Sequence, residues 1–227
     1  MNQLIDTWSR LPEEEDIMTE EHAWIWREMI RAAVTGDLSD TKVLDIGCNQ
    51  GGFLRMLHDT VPFRHAVGID LAKDRVALAE ASKGERPIDY VAGTRLSEAG
   101  TGFDIAFSHE VIYLIEDLAD HARQVAEVLK PGGAYYAVTC CHRDAPLWPS
   151  WREKIQGFSN LPVPDHSVED IAGAFRAAGF EVAVNRFLAN AFIPLDEPGE
   201  YCPTDLSTIE TYTNWKLMFR CTPFGQV

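Results

Sequence analysis

Asp45 and Asp70 end two short apolar runs, VLDIGCNQGG from Val43 to Gly52 and AVGID from Ala66 to Asp70. After Asp45 the chain breaks into a turn carrying Gly47, Asn49 and Gly51. A strand, a glycine-bearing turn that opens a helix, and an acid at the tip of the next strand together hold a nucleoside: the acid takes the ribose hydroxyls and the turn lies along the polar tail. A dinucleotide site needs glycine at the middle of the turn so that backbone can approach a pyrophosphate. Here that residue is Asn49, and an anionic Asp45 just ahead of it would repel phosphates. Both features suit a cofactor with a cationic, phosphate-free tail.

The elements that must position these residues are legible as apolar runs bounded by polar or glycine signals: KVLDIG, HAVGIDL, IDYVAGT, FDIAFSH, AYYAVTC and FEVAVN. Between them lie helical spacings, with Phe53, Leu54 and Leu57 after the first turn and Leu118, Ala122, Val125 and Leu129 farther on. Pro131, Gly132 and Gly133 stop the latter helix, and Ser167 with Asp170 forms a capping-box pattern ahead of a helix that Gly179 follows. Strand and helix alternate, which predicts an α/β fold with a seven-stranded, mostly parallel, doubly wound sheet. The last strand, WKLMFRC from Trp215 to Cys221, has no long helix directly before it and is expected to run antiparallel beside the sixth.

The chain from about residue 40 to 185 resembles the class I S-adenosylmethionine-dependent methyltransferases, small-molecule type, whose fold is Rossmann-like. The resemblance rests on the Asp45, Gly47, Asn49, Gly51 turn, on Asp70, on FDIAFSHEVIYLIEDL from Phe103 to Leu118, and on LKPGGAYYAV from Leu129 to Val138. It implies S-adenosylmethionine as cofactor. Asp45 would then face the methionine amino end, the backbone at Gly47 and Gly51 would line the cofactor, Asp70 would take the ribose hydroxyls and Leu71 would lie against adenine. Many members carry an acid after the third strand to hold the adenine amino group; here Gly93, Thr94 and Arg95 stand there, so the Thr94 hydroxyl or the backbone is the expected reader. Ser108 and His109 join the cofactor side, His109 toward the methionine or sulfonium region.

The implied reaction is in-line methyl transfer to a small-molecule acceptor, in which holding the nucleophile in geometry supplies much of the rate. A base is needed where the nucleophile arrives protonated. His142, leaving the fifth strand, is the candidate base; Glu110 could stabilise a cationic acceptor or orient the next helix, and Tyr113 could close the site or pack as core. SHEV, Ser108 to Val111, replaces the NPPY-type turn of amide and adenine methyltransferases, and no set of acids suggests a magnesium or other metal site. Other chemistry on the same cofactor, such as aminobutyryl cyclisation, and a non-catalytic cofactor-binding module stay open as alternatives.

A formal charge of −15 and the lack of a basic cluster speak against nucleic acid as a partner. Five cysteines, odd in number and without CxxC spacing, fit a reducing cytoplasm. An acidic LPEEED stretch near the start and no apolar run approaching about 18 residues argue against a signal peptide or membrane span. The expected organisation is one domain over 1–227: a helical arm or lid over 1–40, a cofactor-binding half over 41–139 and a substrate-side half over 140–227. Within the arm, Trp24, Arg27, Ile30 and Arg31 suit either a lid with an arginine on the methionine carboxylate or a plain amphipathic helix. The irregular stretches 140–166 and 187–213 are expected as pocket walls, with Trp8, Trp24, Trp26, Trp148, Trp151, Phe158, Phe192 and Tyr201 concentrated in them and in the arm. Oligomeric state is left undetermined.

Overall fold

The computed structural model describes residues 3–10, 22–195 and 199–224; LPEEED and part of the expected helical arm lie outside the described residues. Seven strands form one sheet: β1 (Leu38–Ile46), β2 (Phe63–Asp70), β3 (Ile88–Ala92), β4 (Phe103–His109), β5 (Leu129–Thr139), β6 (Phe180–Asn185) and β7 (Leu217–Pro223). Their spatial order is β3-β2-β1-β4-β5-β7-β6. β1 to β5 pair in parallel, whereas β7 inserts antiparallel between β5 and β6. The seven expected strands and the reversed last one are all present. With β1 and β4 adjacent, the crossovers after them go opposite ways, and a crevice opens at the carboxyl ends between them.

Helices α1 (Ala23–Ala33), α2 (Gly52–Thr60), α3 (Lys73–Ser82), α4 (Leu118–Val128), α5 (Trp148–Phe158), α6 (Val168–Ala177) and the short α7 (Asp205–Glu210) complete the fold. One sheet face is covered by Met29, Ile30 and Ala33 of α1 and by Phe53, Leu54 and Leu57 of α2. The other is covered by Ala122, Val125 and Val128 of α4 and by Ile171, Ala172 and Phe175 of α6. The Ser167–Asp170 capping box forms with both reciprocal bonds, and Gly179 follows α6 at φ +87°. Asp117 caps α4 by accepting from the Asp120 amide at 2.8 Å.

Two expectations shift. α4 ends at Val128, so Leu129 already belongs to β5, and Pro131 to Gly133 form an irregularity inside that strand, where pairing jumps from Leu129–Phe103 to Ala134–Ile105. The arm is not helical throughout: residues 3–10 run as an extended strap, bridging Ile5 to Ala72 and Ser9 to Ser159. No helix of the described residues is long and apolar enough to cross a membrane.

Phe175 is fully buried, stacked on Tyr135 at 5.4 Å and edge-on to Phe180 at 5.4 Å. Phe175→Ala is expected to cost about 3–5 kcal/mol of unfolding free energy in urea titration, well beyond Phe175→Leu, through the cavity it opens.

Candidate active site

The crevice holds a cavity of about 630 Å³ whose floor is the turn after β1, the ends of β2 and β4, and the loop after β3. Asp45, Gly47, Asn49, Asp70, Leu71, Thr94, Arg95 and His109 all line it. Gly47 turns at φ +73°, and a Cβ there would collide with the Val111 side chain. Gly51, at φ +72°, does not line the cavity; a Cβ there would run into the Tyr90 ring, whose hydroxyl donates to the Gly51 carbonyl at 3.1 Å. Asn49 adopts φ 45°, a left-handed conformation that asparagine tolerates better than most residues, which explains how it replaces glycine.

One carboxylate fixes this turn. Asp70 accepts the Asn49 amide on Oδ2 at 2.9 Å and the Ala72 amide on Oδ1 at 2.9 Å. The Asp70 carboxylate that holds the turn also lines the cavity. The Asn49 Oδ1 is buried without a partner among the described residues and sits in the cavity wall, a vacancy for a ligand donor. At the β3 end, the amides of Thr94 and Arg95 both donate to Glu98 at 2.8 Å, and that of Leu96 donates to Gln124 at 2.9 Å. Those backbone donors are committed, and the Thr94 hydroxyl also donates to Glu98 Oε1 at 3.4 Å, so carbonyls and hydroxyl lone pairs are what this end offers a base.

Asp45 is 4% exposed. Burial, and then the Asp70 charge, push its carboxyl up to about 8. Glu110, which bends the chain after β4 at φ 53°, lines the cavity, but its carboxylate is engaged behind the wall. It accepts from Lys216 Nζ at 2.5 Å, from the Cys140 amide at 3.1 Å and from Thr139 Oγ1 at 2.9 Å. Burial opposes its charge, but the Lys216 ammonium and these bonds hold it below the usual glutamate range. Lys216 is 2% exposed, and its ammonium fills the space beside Glu110, Cys140 and Cys141, the one group of possible metal ligands among the described residues. Glu110 Oε1 is thus taken by Lys216 and the Cys140 amide, while Oε2 accepts the Thr139 hydroxyl. Tyr113 both lines the cavity and packs edge-on to Trp148 at 5.8 Å.

Two assignments are corrected. His142 is 1% exposed, lies outside the cavity and bonds through Nε2 to the Trp215 carbonyl at 2.9 Å, so it is placed as a structural residue rather than a base. The Ser108 hydroxyl is 1% exposed and bonds the Tyr135 hydroxyl at 2.6 Å, away from the cavity lining. Among the described residues, the stretch 187–213 contributes no lining residue, and 140–166 contributes Leu161 and Pro162. Of the aromatic residues, Trp8 and Trp26 line the cavity; Trp24 packs on Tyr212, Trp151 on Tyr201 and Phe158 on Trp8, while Phe192 is fully exposed. Arg27 and Arg31 are exposed, Arg31 pairing with Glu28, so neither reaches the cavity.

Sequence reasoning missed His22 and Ile5, which the arm brings over the cavity. The strap is pinned at both ends. Ile5 exchanges backbone bonds with Leu71 and Lys73 at 3.1 and 2.9 Å, and Trp8 accepts the Asn160 amide at 2.7 Å. His22, just before α1, meets His109 edge to face at a centroid distance of 4.7 Å. No pattern of spacing marks these residues, because the segments carrying them are irregular.

A family model described as a methyltransferase domain matches residues 19–184. The chain therefore belongs to the class I S-adenosylmethionine-dependent methyltransferases. Among relatives, geranyl diphosphate 2-C-methyltransferase of Saccharopolyspora erythraea is 32% identical over 69% of this chain and 53% of its own. The ubiquinone biosynthesis O-methyltransferase of Aeromonas salmonicida is 26% identical over 46% of this chain and 45% of its own. The chain thus spans about half the length of these two relatives. Among solved structures, a methyltransferase in complex with the Haloferax volcanii Trm112 methyltransferase activator superposes with TM-score 0.77 at 23% identity, over 93% and 94% of the two chains. Geranyl diphosphate C-methyltransferase from Streptomyces coelicolor A3(2) gives 0.64 at 13% identity, over 92% and 82%.

The cofactor is S-adenosylmethionine, and the residues present fit it: paired acids, an unpartnered Asn49 Oδ1 and a turn with no room for a side chain at Gly47. Because the folded-state value of Asp45 is raised, its favourable contribution to stability is full below about pH 4 and lost as pH rises through about 8. The ammonium at the amino-acid end, which S-adenosylmethionine and S-adenosylhomocysteine share, favours the ionised form, so binding of either is expected to tighten with pH over that window and to release a proton. Calorimetry of S-adenosylhomocysteine binding in buffers of different ionisation enthalpy would count that proton, and Asp45→Asn should abolish its release.

Proposed function

We propose that the protein transfers the methyl group of S-adenosylmethionine to a small-molecule acceptor. The observation that carries this reading is the single crevice in which the cofactor residues Asp45, Asn49 and Asp70 share one cavity with an apolar and aromatic wall: Ile5, Trp8, Trp26, Tyr113, Leu161 and Pro162. The sulfonium supplies an electrophilic methyl carbon. The protein's own residues bind, orient and exclude water, with Ile5 and Trp8 of the strap and Trp26 of α1 in the cavity wall. Residues 1–227 serve in this reading as one catalytic domain, with 41–139 holding the cofactor and the arm together with Leu161 and Pro162 holding the acceptor. A cytoplasmic setting accords with the unpaired cysteines.

Relatives are named for geranyl diphosphate and ubiquinone biosynthesis, and the wall favours the uncharged kind of acceptor. Arg95 is the one lysine or arginine lining the cavity among the described residues, and it lies at the β3 end. Asp120, also in the lining, lies 4.0 Å from Arg95, so that cation is already matched by a carboxylate.

Incubation with methyl-labelled cofactor and a metabolite extract is expected to release S-adenosylhomocysteine together with a labelled small molecule. Release of methylthioadenosine instead would overturn methyl transfer. Asp70→Ala, which loses charge-assisted bonds of about 1.5–3 kcal/mol each, should weaken S-adenosylhomocysteine binding at least about tenfold. Unchanged affinity would remove Asp70 from ribose recognition.

A further inference from the structure

His109 at the end of β4 and His22 just before α1 place two imidazoles side by side in the cavity lining, and one hydrogen bond fixes the chemistry of the first. Trp26 Nε1, which can only donate, lies 3.2 Å from His109 Nδ1. Nδ1 must therefore be the unprotonated nitrogen, and in a neutral ring the hydrogen resides on Nε2. That Nε2–H is sealed from solvent with no partner among the described residues, in a ring that lines the cavity. A buried donor left unpaired is costly, so it is a vacancy for a ligand acceptor atom. His109 itself cannot serve as a base, because its only lone pair is held by Trp26.

His22, perpendicular to His109 at 4.7 Å, lines the same cavity. The groups acting on its charge are Lys216 from the start of β7, Glu110 from the end of β4 and the neighbouring His109. Burial, and then the Lys216 ammonium, lower His22 to about 4 against the opposing pull of Glu110. It stays neutral at physiological pH and keeps one nitrogen lone pair. The site thus offers one donor and one proton acceptor within a few ångströms of each other.

From this juxtaposition we infer that the acceptor is an uncharged hydroxyl compound, a phenol in keeping with the Trp8, Trp26 and Tyr113 walls, whose oxygen accepts from His109 Nε2–H and donates its proton to His22. This assignment rests on the methyltransferase reading and specifies its acceptor. A hydroxyl has one hydrogen and two lone pairs: His22 takes the hydrogen, His109 occupies one pair, and the second pair remains to attack. A neutral amine has a single lone pair and cannot both accept from His109 and act as nucleophile. In the transfer the O–H bond breaks to His22, the O–C bond forms, and the S–C bond of the donor breaks with its electron pair left on sulfur; the proton then passes from His22 to water.

The test uses the whole protein with S-adenosylmethionine and three phenols of falling pKa: phenol, 4-cyanophenol and 4-nitrophenol. S-adenosylhomocysteine release and methyl ether formation are the readouts. For wild type, turnover is expected to be flat from about pH 6 to 9, since His22 stays neutral. For His22→Gln, phenol turnover should fall by about 10²–10⁴-fold at neutral pH and then climb in proportion to the ionised fraction of the acceptor. With 4-nitrophenol in mild alkali, already ionised, the variant should come within a few-fold of wild type.

Equal losses across the three phenols, or parallel pH profiles for variant and wild type, would overturn the role of His22. A protein that binds S-adenosylhomocysteine but methylates none of the phenols would overturn the hydroxyl assignment and leave the methyltransferase reading standing. Absence of binding would instead fell that reading. Nitrogen-15 NMR of the unaltered protein supplies a test free of any folding defect: His109 should show a protonated Nε2 and an unprotonated Nδ1, and Trp26→Phe should release that preference. The opposite tautomer in the wild type would overturn the donor assignment.

Discussion

The bond between Asp70 and the Asn49 amide is the constraint on which the crevice depends. It ties the end of β2 to the turn after β1 and holds Asn49 in the left-handed conformation in which its buried Oδ1 has no partner among the described residues. The same carboxylate holds the Ala72 amide, where the strap from residue 5 crosses, so floor and cover share one anchor. Its negative charge then acts on Asp45, helping to keep that acid protonated until a cation arrives. A residue placed for ribose recognition thereby also sets the geometry and the charge state of its surroundings.

A second electrostatic unit lies behind the acceptor wall. Lys216 and Glu110 are removed from water together, which is tolerable because Glu110 also has the Thr139 hydroxyl and the Cys140 amide to satisfy its oxygens. The pair ties β4 to β7 across β5, and it reaches the imidazoles through space. The ammonium disfavours protonation of His22 and His109, while Glu110 partly offsets it at His22. Neutral histidines in an acidic protein thus have a local cause that the overall charge conceals.

The sheet was legible because each strand is an apolar run flanked by a turn signal, and the order of strands followed from alternation with helices. The cofactor turn was legible for a different reason: Gly47 has to pass Val111 with no side chain, so residue type records geometry directly. His142 misled because it leaves a parallel strand at the carboxyl end, where the crevice lies, whereas its buried ring bonds the Trp215 carbonyl. Ser108 faces the opposite side of β4 from His109, as strand alternation demands, and so meets Tyr135 instead of the cavity. The stretch 187–213 was expected as a wall from its position after β6, but the insertion of β7 between β5 and β6 carries that end of the sheet away from the crevice.

What the sequence could not reveal is how a strap outside the repeating pattern finds its place. Ile5 pairs in parallel beside Ala72 and Ser9 antiparallel beside Ser159, so the strap joins two segments 87 residues apart. Each end is held by backbone bonds that any residue could make, which leaves no compositional mark. The side chains between those bonds, Ile5 and Trp8, are then free to be chosen for what they cover. The cofactor floor is built on the ends of regular, paired strands, whereas the acceptor wall comes from the strap, the residue before α1 and the loop after α5. Such a division lets the wall change with its ligand while Asp45, Asn49 and Asp70 keep their relative positions.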